Sequence, residues 1–148
     1  MAVLGFLVLT ALLLFTINKS SSLINASPNK KASVYTEVYK GKESLSYPKF
    51  SDLKDKDLKM INDAIGRHME ASYKEYEMLK KEADQSGGES AYETSYKVNY
   101  NDGDRLSFFI YDYQYTGGAH GVYTATSYNY DLNEHRRITL LDVLNNQA

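Results

Sequence analysis

The spacing of hydrophobic and polar positions changes character along the 148-residue chain, and each change marks an expected element. From Ala2 to Ile17 the residues are apolar apart from Gly5, Thr10 and Thr16, and no charge appears before Lys19. A membrane-spanning helix needs about 20 apolar residues and the core of a secretory signal about 7 to 15, so this run reads as an anchor or a signal segment. No Lys or Arg precedes it, whereas Lys19, Lys30 and Lys31 follow. Taken literally, the positive-inside rule would place the rest of the chain in the cytoplasm. Residues upstream of Met1, carrying the missing basic flank, would reverse that orientation. Ile24 stands where a small residue is preferred for cleavage after Ala26, which favours an uncleaved anchor. The Ser-, Asn- and Lys-rich stretch from Lys19 to Ala32, with Pro28, has the composition of a tether.

Alternation then sets in. Val34 to Tyr39 and Glu43 to Tyr47 read as two short strands of an edge hairpin, with Gly41 between them and Pro48 behind. From Asp55 to about Ala83 the period becomes helical, with Leu58, Ile61, Ile65, Met69, Tyr73, Tyr76 and Leu79 on one seam. Asp52, Asp55 and Asp57 crowd its start, one of them as the expected cap, and Gly87-Gly88 ends it.

Tyr92 to Tyr100 and Arg105 to Tyr115 return to period two, joined at Asn101-Asp102-Gly103-Asp104, where Asp-Gly predicts a hairpin with positive φ at both residues. A two-residue loop would set Phe109, Tyr111 and Tyr113 opposite Tyr96, Thr94 and Tyr92. A three-residue loop with a bulge pairs Leu106, Phe108 and Ile110 with Tyr100, Val98 and Tyr96. A slip of one residue exchanges the faces, and the buried pattern favours the second arrangement. Leu106, Phe108 and Ile110 then face the helix, leaving Phe109, Tyr111, Tyr113 and Tyr115 as an aromatic stripe on the other face. Val122 to Asp131 is a further strand, and Thr139-Leu140-Leu141-Asp142 resembles a helix start near the end of the chain. The predicted architecture is α+β: one long helix on an antiparallel sheet of about four to five strands, after an N-terminal apolar helix. Its divisions are an anchor or signal (1–18), a tether (19–33), the α+β domain (34–139) and the start of a following helix or domain (140–148), which would continue past Ala148.

Composition narrows the function classes. With 17 basic and 19 acidic residues interspersed, there is no basic footprint for nucleic acid. Cysteine is absent, which removes disulfides, thiol nucleophiles and thiolate metal sites. Fourteen tyrosines and no tryptophan suit a half-buried pleated surface. The candidate loop is Thr116 to Gly121: Gly117, Gly118 and Gly121 permit close backbone approach, and His120 offers a base, a proton switch or a ligand. The plainer reading is a special-geometry connection. His68, His120 and His135 lack any paired metal-ligand spacing, and His120 with Asp112 or Asp131 lacks a nucleophile on an elbow, Ser127 being unselected. No catalytic, metal or cofactor residues are therefore expected.

Tyr113-Gln114-Tyr115-Thr116-Gly117-Gly118-Ala119-His120-Gly121, then Tyr128-Asn129-Tyr130-Asp131-Leu132 and Ile138-Thr139-Leu140-Leu141-Asp142-Val143-Leu144, resemble the extracytoplasmic domain of PdaC-type peptidoglycan deacetylases. A similar domain opens the outer region of RsiV-type, lysozyme-sensing anti-sigma factors. The resemblance covers roughly Val34 to Ala148, and the Gly-Gly-Ala-His-Gly turn is its specific part. It departs in lacking the usual Gly between Asn133 and Arg136, a sigma-binding segment before the apolar run, and any second or deacetylase domain. It implies a membrane-anchored, extracytoplasmic, non-catalytic binding or sensory module of the cell envelope. Tyr111, Tyr113, Tyr115, Gly117, Gly118, His120 and Gly121 would meet cell-wall glycan, a wall-active protein such as lysozyme, or the next domain of the parent. The membrane would be met through residues 2–17. The alternatives are an accessory domain of a polysaccharide deacetylase, or a structural spacer.

Overall fold

A computed structural model describes residues 30–145. The apolar run of residues 2–17, with its reading as anchor or signal, lies outside them. Among the described residues no helix is long and apolar enough to cross a membrane. In chain order the elements are β1 (Ser33–Tyr39), β2 (Lys42–Ser51), α1 (Asp55–Ser86), β3 (Ala91–Asn101), β4 (Arg105–Tyr115), β5 (Val122–Asp131), β6 (Arg136–Arg137) and α2 (Leu140–Asn145).

The strands form a six-stranded sheet in sequential order. Every neighbouring pair is antiparallel except β2 and β3, which run parallel across the α1 crossover. This corrects the antiparallel four- to five-strand expectation. A hairpin turn reverses the chain, whereas a helix of 32 residues carries it back to the end it left, so the strands flanking α1 share a direction. The parallel pair is narrow, with the single register match Leu45–Thr94. Two side-chain bonds reinforce it: Ser46 Oγ donates to the Thr94 carbonyl and Thr94 Oγ1 to the Ser46 carbonyl, each at 2.7 Å.

β2 runs on through Pro48, which pairs with Thr36 of β1 alone, so its missing N–H interrupts no second ladder. Lys40 (φ 48°) and Gly41 (φ 70°) close the β1–β2 hairpin with the paired positive φ of a tight turn. The β3–β4 hairpin differs from expectation. Only Gly103 takes positive φ (97°), while the Asp102 carboxylate accepts the N–H groups of Asp104 and Arg105. Tyr96–Ile110 and Val98–Phe108 pair as expected, but the register shifts between Val98 and Tyr100, so that Leu106 lies opposite Asn101 rather than Tyr100.

The predicted helical seam is the one that packs. Ile61, Ile65, Met69 and Leu79 are buried against the sheet, with Leu58, Tyr73 and Tyr76 at its margin. Leu106, Phe108 and Ile110 meet them from β4. Phe108 stacks on Tyr128 and Tyr130 of β5 and lies 5.0 Å from Phe50 of β2. None of the aspartates caps α1. Lys54 is the N-cap and makes no side-chain cap bond. Asp52 binds Lys30 and Ser33, and Asp57, 1% exposed, accepts from His135 Nδ1 at 3.0 Å. His135 has φ 54°, in the region where glycine is at ease, and its bond to Asp57 secures the turn. Gly87, at φ 69°, closes α1 by donating its N–H to Ala83. At Thr139 the expected helix start is present, with Asp142 accepting from both its N–H and Oγ at 2.6 Å.

Tyr130 is fully buried, and its hydroxyl has no hydrogen-bond partner among the described residues; burial pushes its pKa up to about 12. Removing an unsatisfied buried hydroxyl costs little, so Tyr130→Phe is expected to be neutral or stabilising by about 1 kcal/mol in chemical denaturation. A loss of that size or more would show that the hydroxyl is satisfied.

Candidate functional site

The sheet is covered on one side by α1. Alternation along β4 sends Phe109, Tyr111 and Tyr113 to the other side, where each is half-buried. Phe109 and Tyr111 stack at 5.9 Å, and Tyr113 meets Tyr123 of β5 at 4.7 Å, directly across the ladder. Tyr123 is 72% exposed. It was missing from the sequence-derived set, although a strand returning through Gly121 would have brought it opposite Tyr113.

The glycine loop divides into parts with different duties. A Cβ on Gly121 would lie 2.3–2.6 Å from the far end of the Tyr113 ring, so the ring rests on a position that only glycine leaves free. The Tyr115 hydroxyl donates to the Gly118 carbonyl at 3.0 Å and accepts its N–H at 3.1 Å, fastening the loop to the strand end. Gly117 supplies the positive φ, 79°, and sits close to the Glu89 carbonyl. His120 is exposed and bonds to no described residue. The structure therefore joins Tyr113 to Gly121 and Tyr115 to Gly118, and leaves His120 apart from any acid.

Asp112 points the other way, toward α1, and its partner is His68 rather than His120. His68 Nε2 lies 3.0 Å from Asp112 Oδ2, while His68 Nδ1 lies 2.9 Å from the Tyr128 hydroxyl. Ser72 Oγ donates to Asp112 Oδ1 at 2.7 Å and the Tyr92 hydroxyl at 2.9 Å. Serine, histidine and aspartate thus meet, but the serine donates to the carboxylate and both imidazole nitrogens are occupied. A serine nucleophile requires its hydroxyl on the base, so this is a buried bolt between helix and sheet. Burial alone would raise the Asp112 pKa; the bonds from His68 and Ser72, the His68 charge and the Tyr92 bond overcome it and lower the pKa below the ordinary carboxylate value. Burial and the Asp112 charge push Tyr92 up to about 12, against an opposing Ser72 bond. This cluster escaped the sequence reading because His68 and Asp112 stand 44 residues apart on different element types.

Among the described residues no three His, Cys, Asp or Glu side chains group as metal ligands. His68, midway along α1, and His135, beside the first turn of α1, each face one aspartate.

Two solved structures are similar. One is a DUF3298 family protein from Pseudomonas aeruginosa PAO1, at 20% identity and TM-score 0.43 over 78% of this chain and 56% of that one. The other is a DUF3298 family member from Bacteroides fragilis NCTC 9343, at 17% identity and TM-score 0.41 over 76% and 59%. The chain thus spans less than two thirds of either. No curated protein matches it. The family model described as Deacetylase PdaC matches residues 29–123, well over half of the chain and including the Gly117–Gly121 turn. By that match the chain belongs to the PdaC family.

Proposed function

We propose that this chain is a non-catalytic, membrane-anchored binding module of the bacterial cell envelope, held outside the membrane, whose open sheet face binds wall glycan. One observation carries the reading: the Phe109–Tyr111 and Tyr113–Tyr123 ring pairs lie on the face that α1 leaves uncovered. Aromatic rings present flat apolar area to the C–H faces of a pyranose while phenolic hydroxyls reach its polar edge. The same rings would serve a protein interface, so a wall-active protein such as lysozyme is the competing occupant. A second reading, the accessory domain of a polysaccharide deacetylase, is favoured by the family's description. It places the same surface beside a catalytic domain.

The test is retention of the full chain on insoluble peptidoglycan. Tyr123→Ala removes an exposed ring, and Gly121→Ala drives the Tyr113 ring from its seat; both should lower retention about five- to tenfold, the worth of one stacked aromatic contact. Retention equal to that of the unaltered chain in both variants would reject the open face as the glycan surface. Loss of lysozyme binding instead would assign the face to the protein partner.

A further inference from the structure

The outer side of β5 is covered along only part of its length. β6 pairs with it at Tyr130 and Asp131, and Ile138 donates its N–H to the Asn129 carbonyl at 2.7 Å. Arg137 Nη2 donates to the Ser127 carbonyl at 3.1 Å. These bonds fix which backbone groups point outward, because alternate residues of a strand turn their N–H and C=O to the same neighbour. Asn129 and Ser127 point away from β4, so Ala125 and Tyr123 do as well. Among the described residues no strand meets those two.

An open edge usually carries a charge, a proline or a bulge that turns other strands away. β1, at the opposite edge of the sheet, has Glu37 at its middle, paired with Lys49. From Val122 to Ser127 the sequence Val-Tyr-Thr-Ala-Thr-Ser holds no charge and no proline, and Val, Tyr and Thr favour strands. Its register with β4 is unbroken, so no bulge bends it away. Val122, Tyr123, Thr124 and Ala125 are all exposed.

We propose that this edge pairs with the same edge of a second copy of the chain, antiparallel about a two-fold axis at Thr124, joining the two sheets into one. The free backbone groups select that axis. With Thr124 facing itself, Tyr123 and Ala125 of one copy lie opposite Ala125 and Tyr123 of the other, and each pair exchanges both of its hydrogen bonds. An axis at Ala125 would instead call on the Ser127 carbonyl, which Arg137 holds. In the Thr124 register β6 of the second copy falls beyond Val122, where the chain has turned toward β4, so the strands do not compete for one edge. On the open face each Tyr123 ring meets a small Ala125, and the aromatic stripe runs on from one copy into the other. The pair is isologous and closed. One short strand pair stands at the low end of specific interfaces, roughly 1,000 Å² or less, so the association is weak.

Sedimentation equilibrium of the full chain in detergent micelles should show a dimer half-formed at about 50 μM. Ala125→Pro deletes an N–H on the open edge, a change that an edge strand tolerates, and should weaken the dimer about tenfold with circular dichroism unchanged. Because the chain has no cysteine, single cysteines report the register. Thr124→Cys places the two thiols in a directly opposed, non-hydrogen-bonded pair within reach of a disulfide. It should cross-link in oxidised glutathione about tenfold faster than Thr126→Cys, whose opposite residue is Val122. This comparison decides the register independently of how Ala125→Pro folds. A full chain that stays monomeric at about 500 μM, a dimer that a folded Ala125→Pro chain retains in full, or equal cross-linking at the two positions would overturn the proposal.

Discussion

Replacing Asp112 by alanine should destabilise the domain by about 3 kcal/mol, because three buried donors lose one acceptor together. His68 and Ser72 reach that carboxylate from α1 and Tyr92 reaches it from β3, while Tyr128 of β5 is tied in through His68. Equilibrium urea denaturation followed by circular dichroism measures the loss, and a change below about 1 kcal/mol would mean that the network is dispensable. The acid limb gives a second reading. The folded-state pKa of Asp112 is depressed, so its contribution is fully present above the unfolded value, about pH 4, and is lost as pH falls through the lower folded value. Asp112→Asn should therefore flatten the decline in stability below pH 4. An unchanged acid limb would contradict the assignment of that slope to Asp112.

The largest loss is expected at Phe108. It is fully buried, stacked on Tyr128 at 5.0 Å and Tyr130 at 6.2 Å, and 5.0 Å from Phe50, so it joins β2, β4 and β5 beneath α1. Phe108→Ala should cost about 4 kcal/mol through lost transfer energy and the cavity left among rings that cannot collapse onto it. Phe108→Leu, which keeps most of the volume, should cost about half as much. The comparison is read from the urea midpoints at constant slope; a Phe108→Ala loss under about 1.5 kcal/mol would place the centre of the core elsewhere.

How far the sequence foretells this molecule depends on the range of the interaction. The α1 seam and the inward set Leu106, Phe108 and Ile110 were legible because each is a local period, 3.6 or 2, read against burial. The Tyr96–Ile110 register followed, since the wrong slip would have buried the polar face. The parallel β2–β3 contact was hidden, because one matched pair, Leu45–Thr94, leaves no pattern along either strand. Asp57 looked like a helix-start residue and proved to be the buried partner of His135, 78 residues away. Asp112 looked like a polar member of an aromatic strand, but alternation put it on the helix side, where α1 supplies His68 and Ser72 and β3 supplies Tyr92. Of the candidate site, Tyr113 and Tyr115 were found with their loop. The glycines' separate duties depend on ring positions that no spacing encodes: Gly121 makes room for Tyr113, and Gly118 is held by Tyr115.

The function proposed for the domain depends on which face of the sheet is the working one. The direct measurement is an amide chemical-shift map of the full chain during titration with soluble, lysozyme-free peptidoglycan fragments. The prediction is that the largest changes fall at Phe109, Tyr111, Tyr113, Gly121 and Tyr123, with the solvent-facing side of α1 silent. Changes confined to α1, or none along β4 and β5 while the fragments bind, would contradict it.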